Sequence, residues 1–162
     1  MSEASAQFAA LIGRMTHSIC QGDAEAAARC FTEDGVYHDG FYGEFAGREA
    51  VARMVSELFH GSARDFVWSV SEACSDGEVG YATYQFSYTA TIAGAEGRRV
   101  YFEGMARCRL ADGLIARYDE CFDRGVALAQ LGFPAERIAR SVAKAADAQR
   151  ARATPGHGLP KA

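Results

Sequence analysis

Gly22-Asp23-Ala24-Glu25-Ala26-Ala27-Ala28-Arg29-Cys30-Phe31-Thr32-Glu33-Asp34-Gly35-Val36 is the stretch on which the architecture turns. Gly22 stops what precedes it. Asp23 offers a side-chain oxygen to a helix N-terminus, and Glu25 puts a negative charge in the first turn, where the helix dipole favours it. A short helix from Ala24 to about Phe31 is expected. Thr32-Glu33-Asp34-Gly35 then reads as a turn and Val36-Tyr37-His38-Asp39 as a short strand. Upstream, Phe8, Leu11, Ile12, Met15 and Ile19 recur at intervals of three and four, which places them on one face of a helix from Ala4 to Gln21. Downstream, Gly40, Gly43 and Gly47 break regular structure until a third helix opens near Arg48, burying Val51, Met54, Val55, Leu58 and Phe59.

After His60-Gly61 the period falls to two. Phe66, Trp68 and Val70 fall on one side of a strand, Val67, Ser69 and Ser71 on the other. Asp76-Gly77 signals a hairpin, and the next strand sets Ala82, Tyr84, Phe86 and Tyr88 against Thr83, Gln85, Ser87 and Thr89. The segment 93–97 turns the chain, a strand runs from Arg98 to Leu110, and Asp112-Gly113 leads into a last strand from Leu114 to about Arg124. Four consecutive antiparallel strands are predicted. Val126 to Leu131 forms a helical turn ending at Gly132, and Pro134 suits the first position of a final helix reaching about Arg152. The expected division is a domain over 4–125, a helical extension over 126–152 and a disordered tail over 153–162.

Composition narrows the function classes. The 162 residues are 49% hydrophobic and 23% charged, enough to bury roughly 70% of the unfolded surface in one core. A net charge of −4 argues against non-specific binding to a phosphate backbone, so no nucleic-acid partner is expected. No apolar run approaches the ~20 residues that span a bilayer, and Met1 to Gln7 lack the order of a secretory signal. The reading is a cytoplasmic protein without a membrane partner. Cys20, Cys30, Cys74, Cys108 and Cys121 are scattered without a C-x-x-C pair and read as buried thiols. The histidines show no ligand spacing, and no glycine-rich phosphate loop or dinucleotide fingerprint is present. Neither metal nor cofactor is expected.

Helix, helix, short strand, helix and four long strands give an α+β layer arrangement, with three N-terminal helices on one face of a curved antiparallel sheet and a helix added at the C-terminus. Such a sheet leaves a concave pocket. The order and three motifs resemble the NTF2-like (cystatin-like) superfamily, which holds ketosteroid isomerases, SnoaL-type polyketide cyclases, limonene-epoxide hydrolases and scytalone dehydratases. Those motifs are Gly22 to Val36, Phe45-Ala46-Gly47-Arg48-Glu49-Ala50-Val51, and Asp112 to Asp123. The resemblance covers about Phe8 to Asp123 and implies a cone-shaped fold, while the superfamily spans several chemistries and members with none.

Carried over by residue, the resemblance to ketosteroid isomerases puts Asp39 at the general-base position. It puts Met15 where their oxyanion tyrosine stands and about Ala106 where their protonated aspartate stands. Neither side chain can donate a hydrogen bond. Losing one such donor typically costs about 10²–10³ in turnover, so a steroid isomerase is disfavoured. The arginine and aspartate of limonene-epoxide hydrolases would fall on Gly104 and Ala106, so that site is absent too.

With the family's strand parity, Tyr118, Glu120 and Phe122 face the concavity, and Arg117, Asp119 and Cys121 face away. A Glu120 carboxyl walled by Trp68, Tyr84, Phe86 and Phe122 would have its pKa raised by desolvation, and a nearby Asp39 would raise it further. One acid and one base result, with a tyrosine hydroxyl from Tyr37, Tyr84 or Tyr118 as donor to developing charge. The candidate catalytic residues are therefore Asp39, Glu120 and Tyr118. Candidate ligand-binding residues are Met15, Tyr37, Trp68, Tyr84, Phe86, Ala106 and Phe122. Blander uses stand beside these: Asp39 serving only the backbone N–H groups of its loop, Glu120 pairing with Arg48, Arg107 or Arg109, and His38 at a strand edge. Two functions remain. One is a cofactor-free acid/base enzyme, an isomerase, cyclase, dehydratase or hydrolase, acting on an apolar small molecule. The other is a non-catalytic ligand-binding or dimerisation module, a homodimer joining through the outer sheet face near Val67, Tyr101, Glu103 and Met105.

Overall fold

The computed structural model describes residues 1–158. Helix α1 (Glu3–Gln21) opens on Ser2, whose hydroxyl accepts from the Ser5 N–H, and closes on Gly22 at φ 75°, a left-handed conformation that strains any side chain. It buries Phe8, Leu11, Ile12, Met15 and Ile19. Helix α2 (Ala24–Ala28) is capped by Asp23, which accepts from the Ala26 N–H. It stops before Phe31, because Phe31–Asp39 forms β1. The expected turn at Thr32–Gly35 lies inside this strand as an irregularity in its pairing with β6. At Gly35 a Cβ would stand 2.8 Å from the Ile115 carbonyl oxygen, so the turn-prone Asp34-Gly35 pair produces a bulge where the backbones crowd, not a reversal. The glycine-rich segment likewise is no break: β2 (Gly43–Ala46) pairs antiparallel with β1.

Helix α3 (Arg48–Arg53) continues into a π-helical stretch (Met54–Phe59) and a final turn, α4 (His60–Ser62). Val51, Met54 and Val55 are buried, while Leu58 and Phe59 are only partly so. The long strands follow: β3 (Ala63–Ser75), β4 (Val79–Ala90), β5 (Arg99–Ala111) and β6 (Leu114–Phe122). They form a six-stranded sheet in the order β2-β1-β6-β5-β4-β3, antiparallel throughout except that β1 lies parallel to β6. The antiparallel sheet read from sequence thus gains one parallel pair, which short-range patterning does not specify.

Two interruptions bend β3. Its pairing with β4 shifts between Arg64 and Val67 and between Ser71 and Cys74, and Asp65 and Glu72 there adopt φ of 54° and 51°. Such bulges add twist and curl the sheet around α1. The helix comes so close that a Cβ at Gly80 would lie 2.6 Å from the Phe8 ring. After β6, Asp123 caps α5 (Arg124–Gln130), which starts two residues earlier than expected; α6 (Ala135–Ala151) follows, with Pro134 at its N-cap rather than inside its first turn.

Only Cys30 and Cys108 are buried; Cys20 is intermediate, and Cys74 and Cys121 are exposed, correcting the reading of five buried thiols. Cys121 takes the outward parity of β6, which opens its thiol to solvent. Of the tail expected to lack structure, 153–158 is exposed turn and bend, and 159–162 lies outside the described residues. No helix among the described residues is long and apolar enough to cross a membrane.

Candidate active site

The site is assembled around one peptide group. At the end of β1, the Asp39 Oδ1 accepts from the N–H groups of Phe41 at 2.7 Å and Tyr42 at 2.8 Å, folding the chain back toward β2. The peptide N–H of Gly40, between them, donates to Glu120 Oε1 at 2.8 Å, and the Gly40 carbonyl accepts from the Arg124 guanidinium. Glycine is required here by space: a Cβ at residue 40 would lie 2.3 Å from the Phe122 ring. Asp39 Oδ2 accepts no hydrogen bond among the described residues, and Asp39 borders the adjoining hollow.

Glu120 enters from β6, where it stands opposite Ala106 of β5. Its Oε2 lies 3.3 Å from the Tyr118 hydroxyl and 3.4 Å from that of Tyr84. Glu120 sits deep in the protein yet keeps some surface open to the hollow. Burial, followed by the neighbouring Asp39 charge, raises its carboxyl to about 8. Burial also raises Asp39, but the Tyr42 and Phe41 N–H groups and the charges of His38 and Arg124 act against it. Charges divide the pair. His38 and Arg124 favour the Asp39 carboxylate, whereas Glu120 faces the Asp39 charge, and its three donors, the Gly40 N–H and the Tyr118 and Tyr84 hydroxyls, only partly offset that charge and its burial, so Glu120 is the group that keeps a proton near neutral pH. Burial holds the phenols of Tyr37, Tyr84 and Tyr118 above their ordinary range, so all three stay protonated.

The hollow beside these carboxyls has a volume of about 250 Å³. Its walls are aromatic: Phe66, Trp68, Phe86, Phe102, Phe122 and Phe133 all face it. Phe102 stacks on Phe122 with ring centres 4.4 Å apart, and Trp68 packs on Phe86 at 4.7 Å. The π-helical stretch delivers Leu58 and Phe59 to the same wall, and α5 adds Leu128.

Of the residues named from sequence, Asp39, Glu120, Trp68, Tyr84, Phe86 and Phe122 border this hollow. Tyr118 stands behind it, fully buried, touching it only through Glu120. Met15, Tyr37 and Ala106 do not border it, which corrects their assignment to ligand contact. Met15 is core on α1; Ala106 is covered on the strand opposite Glu120; Tyr37 stacks on Tyr118 at 4.5 Å with its hydroxyl lacking a hydrogen-bond partner. None of Arg48, Arg107 and Arg109 forms an ion pair with Glu120. Asp39 does serve its loop N–H groups, and borders the hollow as well.

His38 points the other way. Its Nδ1 lies 3.1 Å from Asp119 Oδ1, and Arg117 binds both Asp119 and Glu44, so these four groups form a network apart from the hollow. Burial alone would raise Asp119, but Arg117 and His38 hold it below its ordinary value. Among the described residues no three His, Cys, Asp or Glu side chains cluster as a metal site would require.

Sequence reading missed Arg124, Phe41, Tyr42, Tyr88 and Arg137. Tyr88 had a signal, since it continues the Ala82, Tyr84, Phe86 alternation. The others lie in loops or on the C-terminal helices, where no periodicity points at the sheet.

A family model described as a SnoaL-like domain matches residues 12–118, about two-thirds of the chain. No curated protein matches it. Among solved structures, TsrD from Streptomyces laurentii is 20% identical, the match covering 82% of this chain and 98% of that one at a TM-score of 0.67. An LEH-like epoxide hydrolase from M. tuberculosis is 15% identical, over 88% and 97%, with a TM-score of 0.63. A candidate SnoaL-like polyketide cyclase from Jannaschia sp. CCS1 is 14% identical, over 83% and 97%, with a TM-score of 0.69. At these identities the likeness is one of fold. The helices, the curved sheet and the family match together make the chain a member of the SnoaL-like domain family, with the NTF2-like cone fold.

Proposed function

We propose that the protein is a cofactor-independent acid/base enzyme acting on an apolar small molecule, with Asp39 as base and Glu120 as acid. The observation that carries this reading is the meeting of both carboxyls at one aromatic hollow, linked through the Gly40 peptide and differently hydrogen-bonded. Asp39 Oδ2 takes a proton from carbon next to a carbonyl, and Glu120 gives its proton to the carbonyl oxygen, so a C–H bond breaks as an O–H bond forms. The enol so formed can be reprotonated elsewhere, attack a second carbonyl or expel a hydroxyl, which are the isomerase, cyclase and dehydratase outcomes. Tyr84 and Tyr118 steady Glu120 through its Oε2.

Carboxyl-carbon NMR titration tests the pair, and deuterium exchange at the α-carbon of 2-tetralone, an apolar cyclic ketone, tests the chemistry. Glu120 is expected to titrate far above ~4.3, and Asp39→Asn to lower that value by removing the neighbouring charge. Asp39→Asn is also expected to cut exchange by about 10²-fold or more while the protein stays folded. Ordinary titration of both carboxyls overturns the reading. A shifted Glu120 with no acceleration of exchange favours a ligand-binding module instead.

A further inference from the structure

One end of the hollow is acidic and the other basic. Arg137, in the first turn of α6, lies over the Phe133 ring at 3.6 Å from its centre, and both border the hollow. The Arg98 guanidinium rests on the neighbouring Gly132, where a Cβ would stand 2.5 Å from Nη1. Neither arginine has a carboxylate within 4.0 Å among the described residues. Helix α6 begins at this corner on Pro134 without a side-chain cap, leaving the positive end of its dipole unanswered except by Glu136. The corner docks far along β5 from the carboxyl pair: Gln130 bonds both polar groups of the Tyr101 backbone, whereas Glu120 stands opposite Ala106.

We propose that the hollow takes a flat aromatic carboxylate, its rings between the aromatic walls and its carboxylate on Arg137. A guanidinium stacked on a ring keeps its in-plane N–H donors free for a bidentate partner, and its charge is available because no acid claims it. The buried Asp39 charge repels an anion from the other end, so such a ligand enters in one orientation, its uncharged reacting end toward Asp39 and Glu120. Arg137 is then the specificity-determining residue. The assignment of the inner end as the reacting end rests on the acid/base reading above; the binding claim does not.

Fluorescence titration with anthracene-2-carboxylate and its methyl ester at neutral pH tests this. The acid is expected to bind at least about tenfold more tightly than the ester, and to lose that advantage at high salt. Arg137→Gln should remove the difference by weakening the acid alone, and Arg98→Gln and Arg140→Gln, neither of which alters a residue bordering the hollow, should leave the difference in place. An acid that binds no better than its ester, including no binding by either, overturns the proposal. So does an Arg137→Gln variant that weakens both probes alike, which would mark Arg137 as packing only. Because these readouts use no proton from Glu120, their failure leaves the acid/base reading standing, and failure of exchange with 2-tetralone leaves this one standing.

Discussion

Glu120 and Asp39 are neighbours through a single peptide, and that arrangement has a cost visible in stability. A carboxyl whose folded pKa lies above its unfolded value retains a proton that the unfolded chain has released. For Glu120 the window runs from its ordinary 4.5 to about 8. Its contribution is fully present below the lower value and is lost as pH rises through the upper one, with a limiting slope of about 1.4 kcal/mol per pH unit. Asp39, also raised, acts in the same direction. Glu44 and Asp119, both lowered, act oppositely, and their contribution disappears only in acid, below the Glu120 window. Unfolding free energies from urea titrations between pH 5 and 8 should therefore fall by about 1 kcal/mol per pH unit in the native protein and clearly less steeply in Glu120→Gln, where only Asp39 remains raised. An equal slope in both proteins would mean that Glu120 is ionised throughout.

At the scale of elements, the β1–β2 connection carries the site, and Gly40 is its tightest point. Gly40→Ala forces a methyl group into the Phe122 ring and drags the N–H away from Glu120, so a loss of about 1–3 kcal/mol is expected by thermal melting. The same variant should move the Glu120 titration upward, because a donor to its carboxylate form is withdrawn; a change in melting alone would separate packing from electrostatics. This connection also marks where sequence reading reached its limit. Alternation along β6 put Glu120 and Asp119 on opposite faces, because a strand's parity is a local property, and the parity carried over from the family resemblance chose Glu120 as the inner one. The length of β1 was not legible, since Thr32–Gly35 has turn chemistry and is held in a strand by β6, a partner remote in sequence. Met15 and Ala106 were placed by analogy with relatives, and the space there is filled by core. Arg124 and Arg137 carry no local signature; only the packing of α5 and α6 onto the sheet gives them a role.

Across the whole molecule, the convex face of the sheet leaves Val67, Tyr81, Tyr101 and Met105 between 43% and 54% exposed, with Ser87, Thr83 and Arg107 paired beside them. A second copy covering this mixed face would double the mass seen by light scattering, and Met105→Glu would return it to that of one chain; a single-chain mass at every concentration would leave the face to solvent. The strand order has a separate consequence, in time. Because β1 lies beside β6, His38 and its neighbour Asp119 are 81 positions apart, and the native partner of this edge of β1 is made only when β6 is. At roughly 5–20 residues per second, the first hairpin waits about 4–16 s with one bare ladder of amides and carbonyls. The nascent chain is most open to mispairing, and most in need of a chaperone, during that interval, and an added slow step in translation upstream of β6 would lengthen it.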